Sequence, residues 1–147
     1  MQNQMAKTKK LNKGSSGQNR KASELFIEKY LRKDDAVETP SGLIYRVVEQ
    51  AQGLQPSMQD VVVVNQRILN TDGSVIADTY KTGFADRFSM KEALPGLQEG
   101  LQLMAVGARY EFVLPPELAW GKKGVGNKIG PNAALFFDIR LLEVAFD

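Results

Sequence analysis

Apolar positions along the chain follow two rhythms. Phe26, Ile27, Tyr30 and Leu31 recur at spacings of three and four, so they share one face of a helix. Ser23 is a residue type that caps a helix start, and Glu24 follows in the first turn, where the helix dipole favours an acid. The stripe reads as a docking face for the rest of the chain, with a contact between two copies as the alternative. A second helical pattern runs over 95–104, where Leu97, Leu101 and Met104 form one face and Val106-Gly107 ends it. The other segments alternate with period two or are rich in β-branched residues, which predicts strands over 43–49, 61–69, 109–114 and 134–144. The stretch 75–80 reads as a further strand or irregular edge. Thr39-Pro40-Ser41-Gly42 and Thr71-Asp72-Gly73-Ser74 are turn signals, because proline fixes φ and glycine permits positive φ. Pro115-Pro116 stops the strand before it, and a glycine-rich loop follows over 117–131. Strands around one central helix give the α+β class with an antiparallel sheet.

Composition narrows the chemistry. The 147 residues suffice for one domain. Cysteine and histidine are both absent, which excludes disulfides, Ser-His or Cys-His hydrolases and His-ligated zinc. Charge is uneven: residues 1–21 carry Lys7, Lys9, Lys10, Lys13, Arg20 and Lys21 and no acid, whereas the remaining 13 bases face 17 acids. The polar leader is too poor in apolar residues to offset the entropy of ordering, so 1–21 is expected as a disordered basic tail, with Gly14-Ser15-Ser16-Gly17 as a flexible link. Such an arm is either a solubilising leader or a weak contact for nucleic acid or an anionic surface. The division expected is this tail, a helix and linker over 22–37, and one domain over 38–147. No run is long and apolar enough for a membrane helix, and no apolar stretch follows the first basic residues, so the expected location is the cytoplasm.

Several spaced blocks then resemble one family. Leu94-Pro95-Gly96-Leu97-Gln98-Glu99-Gly100-Leu101, with Met104 and Gly107, resembles the segment that forms the single helix of the FK506-binding-protein (FKBP) type of peptidyl-prolyl cis-trans isomerases. Leu114-Pro115-Pro116-Glu117-Leu118-Ala119-Trp120-Gly121 resembles its strand end and flap loop. Gly124, Ile129, Pro131-Asn132-Ala133 and Leu135-Phe136-Phe137-Asp138-Ile139 resemble the close of that loop and the last strand. Thr39 to Tyr45 resembles the opening strand of bacterial members, and Asp72-Gly73 their hairpin turn. The resemblance covers residues 38–145. It implies a five- to six-stranded antiparallel sheet wrapped on one short helix, an apolar cleft that receives a proline ring, no metal or cofactor, and proline-containing peptides or unfolded proteins as partners.

Carried over by position, the cleft would be lined by Gln66, Ile76, Ala77, Phe88, Ala93, Leu94, Leu97, Trp120, Ile129 and Phe137. Four of these depart from the family. Gln66 stands for a strand tyrosine, Ile76-Ala77 for a Phe-Asp pair and Leu97 for the tryptophan of the floor. Asp78, next to Ala77, points to the other side of an extended segment. Core packing alone accounts for Leu94, Leu97, Phe88 and Phe137 equally well. Trp120, in a glycine-bounded loop, is either a lid over core or a binding anchor. The function expected is isomerisation of Xaa-Pro bonds in polypeptides. The alternative is a weakly active or inactive peptide-binding module, a chaperone or adaptor, and the four departures weigh toward it.

Overall fold

The computed structural model describes residues 15–126 and 129–146. Its elements run α1 (Ser16–Tyr30), β1 (Val37–Glu38), β2 (Ile44–Glu49), β3 (Asp60–Asn70), β4 (Val75–Asp78), α2 (Thr79–Thr82), β5 (Asp86–Ser89), α3 (Pro95–Leu101), β6 (Arg109–Leu114) and β7 (Leu135–Phe146), with two single 3-10 turns at Met90–Glu92 and Pro116–Leu118. The strands form one antiparallel sheet in the order β1-β2-β6-β7-β3-β4. β5 pairs with the first half of β3, and β4 with the second half, so the two share one edge. Counted as rows, this is the six-row antiparallel sheet around a short helix that the resemblance implied.

Alternation along each strand sorts side chains onto two faces. Leu43, Tyr45 and Val47 of the β2 region, Tyr110, Phe112 and Leu114 of β6, and Leu135, Phe137 and Ile139 of β7 point inward and meet Leu97, Leu101 and Met104 from α3 and the turn after it. The helix lies very close to the sheet. A Cβ on Gly96 would sit 2.4 Å from Leu114 Cγ, and one on Gly100 would sit 2.6 Å from Phe112 Cε1. Glycine is required at both positions by packing, since the backbone there is ordinary helix.

The opposite face is covered by α1. Phe26, Ile27, Tyr30 and Leu31 pack on Ile44, Val113 and Phe136, so the expected stripe docks on the chain's own sheet. Beyond the helix this face is ionic. Arg46 reaches Asp35 at 2.8 Å and Glu111 at 2.7 Å, Glu111 also accepts from the Tyr30 hydroxyl, and Arg109 pairs with Asp138 at 2.7 Å.

Three expectations change. The helix does not start at Ser23 and the leader is not unstructured up to residue 21. α1 begins at Ser16, because Ser15 and Gln18 form a reciprocal capping box. Ser15, Ser16 and Gly17 are thus cap and first turn and not a link, and the 21/22 boundary falls inside a helix. Residues 1–14, the rest of the expected tail, lie outside the described residues. Ser23 is buried instead of capping: its hydroxyl donates to Asn132 O and accepts from Ala134 N at 3.0 and 2.8 Å. Finally, the edge over 75–80 stops at Asp78, whose carboxylate accepts from Lys81 N and starts α2. Gly83, at φ +81°, ends that turn in a left-handed cap.

Candidate functional site

The site is the space between α3 and the inward face of the sheet, closed at one end by the loop before β7. α3 opens with Pro95 at its first position, where the missing N–H removes no helix bond, and Leu94 O accepts from both Leu97 N and Gln98 N. This fixes Leu97 toward the sheet, where it is 5 % exposed. Across from it, Ile129 folds in from the loop. A bridge between Val125 and Ile129 holds that loop, with bonds of 2.8 and 3.2 Å. Gly124, at φ +66°, allows the close approach, since a Cβ there would lie 2.4 Å from Ile129 O. The loop's far end is tied to α1: Asn19 donates to Pro131 O, Arg20 to Asn132 Oδ1, and Ser23 bridges Asn132 and Ala134.

The structure brings most of the predicted residues together. Leu97, Ile129 and Phe137 are buried in one cluster, and Ile76, Phe88, Ala93 and Leu94 are half-buried against it. Ala77 stands opposite Ile68, an inward residue of β3, and a bulge beside it turns Ile76 inward as well. Asp78 faces away and pairs with Arg67 at 3.5 Å, as expected for its neighbouring position. Trp120 stands apart from the packed set and is 37 % exposed in the loop. Phe84 is 81 % exposed in the connection from α2 to β5.

Gln66 is the polar member. It is 6 % exposed and lies in the inward row of β3 with Val62, Val64 and Ile68. Its Nε2 donates to Asp86 Oδ2 at 2.9 Å, while Oε1 is buried with no partner among the described residues. Leaving a buried acceptor unpaired costs about 1–3 kcal/mol. The residue list from the sequence missed Asp86. The signal was period two, because Asp86 lies two residues before inward-facing Phe88 on the same strand.

Chemically the cleft offers desolvation and one acceptor corner. Among the described residues, no group of three or more acids could hold a metal, and neither cysteine nor histidine exists to act as a nucleophile or base. What an apolar enclosure of this kind can do is distinguish conformers of one molecule by how much water each needs.

Comparison with known proteins points the same way. The family model described as FKBP-type peptidyl-prolyl cis-trans isomerase matches residues 53–142, and the model for the domain amino-terminal to it matches residues 1–47. The chain is 35 % identical to the probable FKBP-type isomerase FkpA of Neisseria meningitidis over 98 % of its own length and 53 % of the relative's. It is 36 % identical to FkpA of Escherichia coli K12 over 92 % of this chain and 49 % of that one. The outer membrane protein MIP of Legionella longbeachae is 35 % identical over 86 % of this chain and 54 % of its own. The chain thus spans about half the length of these curated relatives. Among solved structures, FkpA from E. coli superposes with a TM-score of 0.85 at 35 % identity, over 89 % of this chain and 61 % of that one. An isomerase from Pseudomonas syringae has a TM-score of 0.82 over 92 % of this chain and 99 % of that one. At 24 % identity, it is a likeness of fold.

Proposed function

Because the chain belongs to the FKBP-type peptidyl-prolyl cis-trans isomerase family, we propose that its cleft catalyses cis-trans isomerisation of Xaa-Pro bonds in polypeptides and so assists their folding. The observation that carries this reading is the apolar cluster of Leu97, Ile129 and Phe137 under α3, with Ile76, Phe88, Ala93 and Leu94 half-buried against it. Amide resonance sets a barrier of roughly 18–20 kcal/mol to rotation about the bond. Exchange in Xaa-Pro therefore takes tens to hundreds of seconds, although the two planar states are close in energy. At the twisted transition state the resonance is broken, and the carbonyl oxygen loses partial charge and part of its need for water. An apolar enclosure then favours the twisted form over either planar form, with no bond made or cut. A 10⁴-fold acceleration asks for only about 5.4 kcal/mol of such preference.

Similarity to proteins named as FKBP-type peptidyl-prolyl cis-trans isomerases supports isomerase activity over a purely adaptor role. The replaced positions, Gln66, Ile76, Ala77 and Leu97, bear on the rate. The test is the exchange rate of a short Xaa-Pro peptide with and without the protein, beside Trp120→Ala. Acceleration that falls in the variant supports the reading and places Trp120 as an anchor. No acceleration from folded protein moves the function to peptide binding.

Two lesser parts of the proposal rest on charge and residue pattern alone. A weak contact of the basic arm with nucleic acid is tested by RNA affinity against salt, where phosphate contacts produce a steep slope. Since α1 starts at Ser16, the deletion for that test removes residues 1–13 and not 1–21. The cytoplasmic location is tested by fractionation of the producing cell.

A further inference from the structure

The inward face is largely apolar, and among the described residues its polar corner at Gln66 and Asp86 is incomplete. A carboxylate only accepts, so the contact from Gln66 Nε2 to Asp86 Oδ2 at 2.9 Å fixes which end of the amide is oxygen. Oε1 is left as a buried acceptor without a donor among the described residues. Asp86 pairs opposite Val64 on β3, so its side chain shares the face that carries Gln66. Gln66 is its hydrogen-bond partner, and no cation of the described residues pairs with it. The strand beneath is held firmly. Gln66 N donates to Thr79 Oγ1 at 2.8 Å, and that hydroxyl donates to Asn65 Oδ1 at 2.9 Å.

Buried polar groups are as a rule paired. An acceptor left without a protein donor, beside a carboxylate with no cation partner among the described residues, is open to completion by water or by a donor group of a ligand. We propose that Gln66 and Asp86 form an acceptor-rich subsite of the cleft, which selects chains bearing lysine or arginine on a residue flanking the proline. The proposal rests on the reading of the cleft as a proline site. In this proposal the ring packs against Leu97 and Phe137, and the residue next to it in the bound chain carries its basic side chain to Gln66 and Asp86. An ammonium or guanidinium supplies N–H donors to both oxygens, and its charge balances Asp86. An alkyl side chain of equal length fills the same space and leaves both acceptors unmet.

The test compares peptides in which lysine or norleucine stands before or after the proline, in exchange-rate and equilibrium-binding measurements. The proteins are the full chain, Asp86→Asn and Gln66→Met. At one of the two positions lysine should exceed norleucine about tenfold in kcat/KM or in affinity. Asp86→Asn, which keeps the shape, should bring that ratio near one, and Gln66→Met should lower it. Equal values for lysine and norleucine at both positions overturn the subsite, as does a preference that Asp86→Asn leaves intact. The two failures are separable. Turnover without preference removes the subsite and keeps the isomerase. Lysine-selective binding without turnover keeps the subsite and removes the isomerase.

Discussion

The two faces of the one sheet are built on opposite principles. The inward face is closed by shape: α3 rests on β6 so tightly that Gly96 and Gly100 leave no room for a Cβ. Its polar corner, Gln66 with Asp86, has one acceptor unmet among the described residues. The outward face is closed by charge around a smaller apolar patch. Glu111 Oε1 alone receives the Tyr30 hydroxyl and Arg46 NH1, each at 2.7 Å. The charges of that outward network pair with one another, which marks it as structure, whereas on the inward face Gln66 Oε1 is buried with no partner among the described residues. Damage to the inward face should therefore reach both stability and function, and damage to the outward face stability alone.

The largest expected effect is Gly100→Ala. The new methyl meets the fully buried Phe112 ring, and overpacking of this kind costs about 1–3 kcal/mol. Denaturant titration should show the loss, and the exchange rate should fall with it because α3 carries Leu97. Ser23→Ala comes next. It removes one hydroxyl that serves Asn132 O and Ala134 N across about 110 residues of chain, and the buried groups left behind cost about 1–3 kcal/mol. Hydrogen exchange should show the loop before β7 opening more often. If neither stability nor that loop responds, α1 is not the loop's anchor. Arg46→Ala on the outward face should cost about 1 kcal/mol, since Asp35 is exposed and Glu111 only part-buried.

The smallest effect is a pH signature of the outward face. Burial, then the Asp138 carboxylate, pushes the Tyr80 phenol up to about 12, and burial followed by the Glu111 bond pushes Tyr30 up further. Folding thus favours the protonated phenols. Their contribution is complete below the ordinary phenol value of about 10 and is lost as pH rises through the folded values. Thermal midpoints followed upward from pH 9 should decline less in Tyr80→Phe than in the parent chain.

How much of this could be read from the chain follows from where the forces act. The strands over 44–49 and 109–114 announce themselves by alternation, and that over 60–70 by its β-branched run, because burial is local to each strand. The docking stripe on α1 was equally legible. The start of α1 was not, because Ser15, Ser16 and Gly17 have the composition of a linker. Ser-x-x-Gln at 15–18 was the available capping signal, while the bonds from Asn19, Arg20 and Ser23 to residues 131–134 leave no local trace. α2 escaped because four residues give no period. Asp86 escaped with it, since the excursion through α2 obscured which residues of β5 share a face with Phe88. The tight seat of α3 was visible as Gly96 and Gly100, but only the position of Phe112 and Leu114 explains why they are glycine.

The most direct test of the account is the cis-trans exchange rate of a proline peptide, measured with the parent chain, with Ile129→Ala in the cleft and with Arg46→Ala on the outward face. The account predicts acceleration by the parent chain, a loss of about tenfold in Ile129→Ala, and a rate in Arg46→Ala equal to the parent's while its stability falls. Absence of acceleration by the folded parent chain, or equal losses from both variants, would contradict it.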